Sequence, residues 1–245
     1  FSLEMSSLQL VTRLISGETE LPGEKFRSGK LADYEWEQLN ARVQNLSDAP
    51  IFIDDTPQLS IFDLRAKARR LKSNKGIELL IIDYLQLMRG DDGGKNGNRE
   101  QEISYISRSL KSLAKELDIP VIALAQLSRA VEQRTDKIPI LSDLRESGSI
   151  EQDADMVGFL YRADYYGFTT DADGHDVTGM ADFIIAKHRH GSTGKCRIRF
   201  RKEFAKFEDY DGFPGDDADP MSVTFESKMN NDMTDIAPDD GDYEF

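Results

Sequence analysis

One stretch, Ile77-Glu78-Leu79-Leu80-Ile81-Ile82-Asp83-Tyr84, constrains this chain more than any other. Five of the six residues before Asp83 are apolar, and the run is too short for an independent helix. It is entered from a basic helical segment through a turn at Asn74-Lys75-Gly76. A continuous apolar run of this length reads as a strand buried on both faces of a parallel sheet. Ligands of open α/β sheets bind just beyond the carboxyl ends of the strands, so Asp83 stands at the mouth of a site. A carboxylate there suits Mg²⁺, a hard ion that takes oxygen ligands and keeps several waters. An Asp that merely caps the following turn fits this stretch equally well, and the stretch alone does not separate the two.

The flanking sequence repeats the pattern. Phe1-Ser2-Leu3-Glu4 reads as the end of a strand that also closes on a carboxylate, and Ser6 with Gln9 forms a capping box for the next helix. Leu8, Val11, Leu14 and Ile15 give that helix an apolar face, and Gly17 to Lys30 reads as a loop. A second helix after Asp33 places Trp36, Leu39 and Val43 on its buried side. Ile51 to Asp54 is a short strand, and Ser60 with Asp63 opens a helix that ends near Ser73. Arg89 to Asn98 is a glycine-rich loop. Ile103, Ile106, Leu110, Leu113 and Leu117 then recur at alternating spacings of three and four, as in one amphipathic helix. Val121 to Gln126 is a strand that ends on an amide; Met156–Tyr161, Phe183–Lys187 and Arg197–Phe200 are further strands. Strand and helix alternate through most of the body, which predicts an α/β fold: a mostly parallel sheet with helices on both faces. If neighbouring strands deliver Glu4, Asp83 and Gln126 to one edge, that edge has the layout of a phosphoryl-transfer site.

The net charge of −14 argues against a nucleic-acid partner only until its distribution is read. Residues 208–245 hold 13 acids against one base, a local charge of −12, which leaves −2 for residues 1–207 with 30 bases and 32 acids. The chain therefore divides into a nearly neutral folded body, 1–207, and an acidic tail, 208–245, expected to be disordered. The one cysteine, Cys196, excludes an intramolecular disulfide and fits a reducing compartment. No apolar run approaches the roughly 18 residues of a membrane span, and no signal peptide is visible. These features point to the cytoplasm and to no membrane partner.

Five segments carry a resemblance to a known family: Phe1 to Ser6, Ile82 to Met88, Ala125 to Arg129, Asp143 to Asp155 and Lys187 to Gly191. In order and spacing they resemble the motifs of the RecA-like C-terminal motor domain of DnaB-type replicative DNA helicases, from Phe1 to about Phe207. The segment Asp143-Leu144-Arg145-Glu146-Ser147-Gly148-Ser149-Ile150-Glu151-Gln152-Asp153-Ala154-Asp155 is the most specific of them. The resemblance implies an ATP- and Mg²⁺-dependent helicase that forms a homo-hexameric ring, moves 5′→3′ on single-stranded DNA, and works with a primase and a helicase loader. It implies that Glu4 is the general base for the attacking water, that Asp83 is the Walker B acid holding Mg²⁺, and that Gln126 senses the terminal phosphate. Lys187 and Arg189, the latter an arginine finger, would reach the nucleotide of the next subunit; alternation along a strand places the two on the same side. Arg145, Glu146 and Gly148 fall where the family's central loops touch the single-strand backbone.

The family's phosphate loop, G-x-x-x-x-G-K-[ST], has no match here. The nearest imitation, Gly191 to Cys196, has Arg189 in place of the first glycine and Cys196 in place of the metal-binding hydroxyl, and reads as a turn between strands. On this reading the loop and the first strand lie upstream of Phe1, and the piece alone is expected to expose an apolar slot and be poorly stable or inactive. Two alternatives stand: a RecA/RadA-like recombinase ATPase, and a non-catalytic piece that keeps only oligomer and DNA contacts. The remaining candidates carry less. His175, His188 and His190 are too scattered for a metal set, and Cys196 lacks a paired His. Asp171, Asp173 and Asp176 resemble a calcium loop without its closing Glu and read as a β-turn. Tyr165, Tyr166 and Phe168 read as loop anchors before base-stacking platforms, and Trp36 as helix packing.

Overall fold

A computed structural model describes residues 1–90, 99–171 and 174–210, with only the backbone at 145–148. The acidic stretch 211–245, the glycine-rich 91–98 and Asp173 lie outside the described residues.

Helix α1 (Ser7–Thr19) starts on the capping box read from the sequence: the Gln9 N–H donates to Ser6 Oγ at 3.4 Å, and the Ser6 N–H donates to Gln9 Oε1 at 3.0 Å. Helices α2 (Gly23–Ser28) and α3 (Asp33–Asp48) follow, so α1 and α2 occupy much of what the sequence suggested was loop. Leu8 on α1 is 74% exposed and Trp36 on α3 is 49% exposed, which corrects the expected apolar faces. The reason is that α1 docks by its small polar residues. Ser16 and Thr19 are buried, the Ser16 hydroxyl donates to Leu21 O at 2.6 Å, and the Gln38 amide of α3 donates to Thr19 O at 2.7 Å.

Helix α4 (Ile61–Lys75) is capped by Ser60, whose hydroxyl accepts from the Asp63 N–H at 3.0 Å, and ends on Gly76 at φ +65°, a conformation open to glycine without strain. It leads into β1 (Leu80–Ile82), which pairs in parallel with β2 (Val121–Ala123). Helix α5 (Arg99–Leu117) joins them and buries Ile103, Ile106, Leu110 and Leu113, the stripe its periodicity predicts. Those side chains close over Leu80 and Ile82 of β1 and Leu64 and Ala68 of α4 in the main core.

Among the described residues the parallel sheet is covered on one face only. Leu80 and Ile82 are buried, but Leu79, Ile81, Ile122 and Leu124 are each between 45 and 48% exposed. The expectation of a strand buried on both faces fails here because an apolar run reports what a strand can bury and not what lies against it.

The second half is built differently. Strands β3 (Met156–Tyr161), β4 (Met180–His188), β5 (Gly194–Arg201) and β6 (Lys206–Asp209) form an antiparallel meander in that order. The parallel repeat expected through most of the body therefore ends at β2. Among the described residues no long helix lies between Tyr161 and Met180 to carry the chain back across the sheet, and β4 returns antiparallel. Residues 190–193 form the exposed β4–β5 turn. The Gly174 N–H donates to Asp171 O at 3.2 Å, and Thr170 and Asp176 form an antiparallel bridge. Strand β6 takes up Glu208 and Asp209, which the sequence assigned to the tail. A short helix, α6 (Gly148–Asp153), precedes β3.

Candidate active site

Three segments bring their carboxyl ends together. Ser2 bridges Asp83 in parallel: the Asp83 N–H donates to Phe1 O at 2.9 Å and the Leu3 N–H to Asp83 O at 2.7 Å. On its other side the Ser2 N–H donates to Asp54 O at 2.9 Å. Beyond β1, the Leu124 N–H donates to Ile82 O at 2.9 Å and the Leu85 N–H to Leu124 O at 3.0 Å. The β1–β2 pair is therefore extended on its β1 side by residues 1–3, which residues 51–54 flank through a single backbone bond, and Glu4, Asp83 and Gln126 leave three adjacent segments at the same edge.

The local chemistry holds each of them. The Ser2 hydroxyl donates to Met5 O at 2.8 Å and accepts from the Met5 N–H at 3.3 Å, a tight turn that carries Glu4 on its exposed side. Asp83 is half-buried, and the peptide bond after it is cis. Gln126 is exposed, but its backbone is clamped by Gln86. The Gln126 N–H donates to Gln86 Oε1 at 3.1 Å, and Gln86 Nε2 donates to Gln126 O at 3.3 Å. Arg99 of α5 in turn donates to Gln86 O at 2.7 Å. Gln86 was missed as a positioning group; its place three residues after the acid that ends β1 was the available signal. Asp54 is a further edge acid. Burial alone would raise its carboxyl, but Lys67, with Nζ 2.6 Å away, and the Thr56 hydroxyl and N–H bring it below the usual range.

Lys187 and Arg189 sit elsewhere, at the end of β4. Lys187 donates to Glu151 O and, at 3.4 Å, to Gln152 O; Arg189 Nη2 donates to the same Gln152 O at 2.9 Å. Both side chains thus reach one carbonyl at the end of α6, on the same side as alternation predicts. Among the described residues their polar contacts are to the end of α6 and to Asp155, and the structure does not bring them to Glu4, Asp83 or Gln126 within the chain. Arg145, Glu146 and Gly148 lie on a 3-10 turn (Leu141–Ser147) and the first position of α6; their side chains fall outside the described residues. The backbone there is helical where an open loop was expected. A small second core of Leu144, Val157 and Phe159 packs against Ala125 and Leu127, the two neighbours of Gln126.

Among the described residues no group of three or more His, Cys, Asp or Glu side chains is set to enclose a metal. Mg²⁺ does not require one, since it is commonly held by one or two carboxylates together with waters and substrate phosphates. Half-buried Asp83 beside exposed Glu4 fits that mode.

The chain matches the family model for the DnaB-like helicase C terminal domain over residues 1–209. It is 52% identical to the replicative DNA helicase DnaB of Geobacillus stearothermophilus over 207 residues, which are 84% of this chain and 44% of that protein. It is 50% identical to the replicative DNA helicase DnaC of Bacillus subtilis (strain 168), with the same coverage. Among solved structures it is similar to a DnaB-like replicative helicase described with its interactions with primase (TM-score 0.77, 41% identity, 85% of this chain and 49% of that one). A second solved structure, of an ATPase domain, is similar at the same TM-score and identity, with 72% of that chain covered. The chain spans under half the length of the curated relatives it matches. No helix among the described residues is long and apolar enough to cross a membrane.

Proposed function

The chain belongs to the DnaB-like helicase C-terminal domain family, and from that premise we propose that it is most of the motor of a hexameric, ATP-driven replicative DNA helicase that moves 5′→3′ on single-stranded DNA in the cytoplasm. The adjacent exits of Glu4, Asp83 and Gln126 from one sheet edge carry this reading. Asp83 would hold Mg²⁺ through water, and the ion supplies charge neutralisation on the phosphate oxygens. Glu4, exposed on its turn, accepts the proton of the attacking water. Gln126, its backbone fixed by Gln86, hydrogen-bonds the terminal phosphate and passes its state to the strand exit at Leu127. Arg189 and Lys187 act on the nucleotide of the neighbouring subunit, because their own strand end faces α6 and not the rim. The Arg145 guanidinium and the backbone N–H groups at Glu146 and Gly148 engage the phosphates of single-stranded DNA. Primase and a helicase loader are the partners proposed for the whole protein. A recombinase has no specific observation in its favour, since the relatives at 50% identity or more are replicative helicases.

The decisive experiment is Arg189→Ala in the full-length protein. Nucleotide binding is expected to persist while hydrolysis falls by about 10³–10⁵-fold, the range for loss of an arginine finger. Turnover at the wild-type rate would refute the assignment.

A further inference from the structure

We infer that Asp155, outside the groups that touch nucleotide or DNA, is a positioning residue that fixes the Arg189 finger for the neighbouring subunit's site. The inference rests on the finger reading of Arg189. Asp155 holds that residue at both ends. Its carbonyl accepts the Arg189 N–H at 2.7 Å, which extends the β3–β4 ladder beyond the Met156–His188 pair and fixes where the Arg189 side chain begins. Its carboxylate Oδ1 stands 3.2 Å from Arg189 Nη1, so it also fixes where the side chain ends. Gln152 O takes Nη2 from the adjacent side. The second carboxylate oxygen is held in turn by Lys111 of α5, so the aspartate cannot rotate freely away. A guanidinium has five N–H donors in a rigid fork, so it keeps these contacts and still presents donors outward to a phosphate.

Exposure separates a positioning role from a structural one. Arg189 and Asp155 are about half exposed, 43% and 51%, and exposed ion pairs add little to folding stability. The contact therefore acts on where the guanidinium waits and hardly on whether the domain folds. Catalytic groups misplaced by about an ångström lose rate on the order of 100-fold.

The test uses full-length rings. Asp155→Asn is expected to lower kcat for ATP about fivefold, the shift in guanidinium position that an exposed pair can sustain and far less than Arg189→Ala, with KM and melting temperature nearly unchanged and partial recovery in Asp155→Glu. Lys111→Met, which loosens the aspartate without touching it, should lower kcat in the same direction by a smaller factor. Because the finger acts across an interface, rings co-assembled from Asp155→Asn and Glu4→Gln subunits contain some interfaces with an intact finger on one side and an intact Glu4 on the other. Such mixed rings should hydrolyse ATP faster than either parent ring. Wild-type kcat in Asp155→Asn beside a disabled Arg189→Ala would overturn the positioning inference alone. So would a low kcat that mixing fails to raise, since Asp155 would then act within its own subunit. Wild-type turnover in Arg189→Ala would instead overturn the finger reading underneath.

Discussion

Replacing Arg134 by Met tests the most buried charge contact between the Gln126 strand and the segment that carries Arg145. Arg134 Nη1 donates to Asp143 Oδ1 at 3.0 Å and Nη2 to Oδ2, while the Ile140 N–H donates to Oδ2 at 2.8 Å. The Asp143 N–H and C=O also hold the chain, the latter accepting from the Ser128 N–H at 2.9 Å, two residues after Gln126. Asp143 is only 4% exposed, so removing the guanidinium leaves a buried carboxylate with one remaining N–H donor. Breaking a fully buried pair costs about 3–5 kcal/mol. Arg134 is 30% exposed and the Ile140 contact survives, so about 2–3 kcal/mol is expected here. For a domain of this size that corresponds to a drop in melting temperature of about 4–12 °C. The pH dependence adds a second signature. Burial alone would raise the Asp143 carboxyl, but Arg134 and the Ile140 N–H outweigh it and hold it below the usual carboxylate range. The wild-type contact is then complete above the ordinary carboxylate pKa and lost as pH falls through the lower folded value. In Arg134→Met the unpaired carboxylate is raised instead, so its penalty is full at neutral pH and relieved as it takes up a proton. Both shifts make the difference in melting temperature between wild type and variant shrink on acidification. Thermal unfolding at pH 7.5 and pH 4, each in wild type, Arg134→Met and Arg134→Met/Asp143→Leu, reads all of this, and the double variant should recover most of the loss. A shift under a degree, or one equal at both pH values, would show that the pair behaves as an ordinary surface contact.

Three further outcomes are expected. Gln86→Ala should lower ATP hydrolysis about 10–100-fold with nucleotide binding unchanged, because it frees the backbone of Gln126; parallel hydrolysis and binding assays check this. Ile106→Ala, at a fully buried position of α5, should cost about 2–5 kcal/mol in denaturation experiments. Glu116 of α5 is held down to about 2 by the Arg69 guanidinium first and then by Arg65, both on α4. Its tie between the helices is complete above the ordinary glutamate pKa and lost as pH falls through about 2, so Glu116→Gln should flatten the acid limb of the melting profile.

What the sequence made legible is what short spacings decide. The capping box at Ser6, the N-cap at Ser60 and the α5 stripe depend on residues three or four apart, and all three stand as read. The carboxyl ends of three segments meet as expected because apolar runs joined by helices return in parallel. What the sequence hid depends on distant partners. The Gln86 clamp spans 40 residues and the Lys111–Asp155 contact 44, and neither leaves a local pattern. The switch to an antiparallel meander after β3 was signalled only by the absence of helical periodicity between Tyr161 and Met180. The roles given to Arg189 and to Arg145, Glu146 and Gly148 came from the motif resemblance and not from spacing.

The outer face of β1 and β2 carries a thermodynamic consequence of its own. Leu79, Ile81, Ile122 and Leu124 each keep nearly half of their surface in water. Drying the remainder is worth on the order of 1 kcal/mol per side chain, about 4 kcal/mol for the four. That is roughly a thousandfold bias in any equilibrium that covers them.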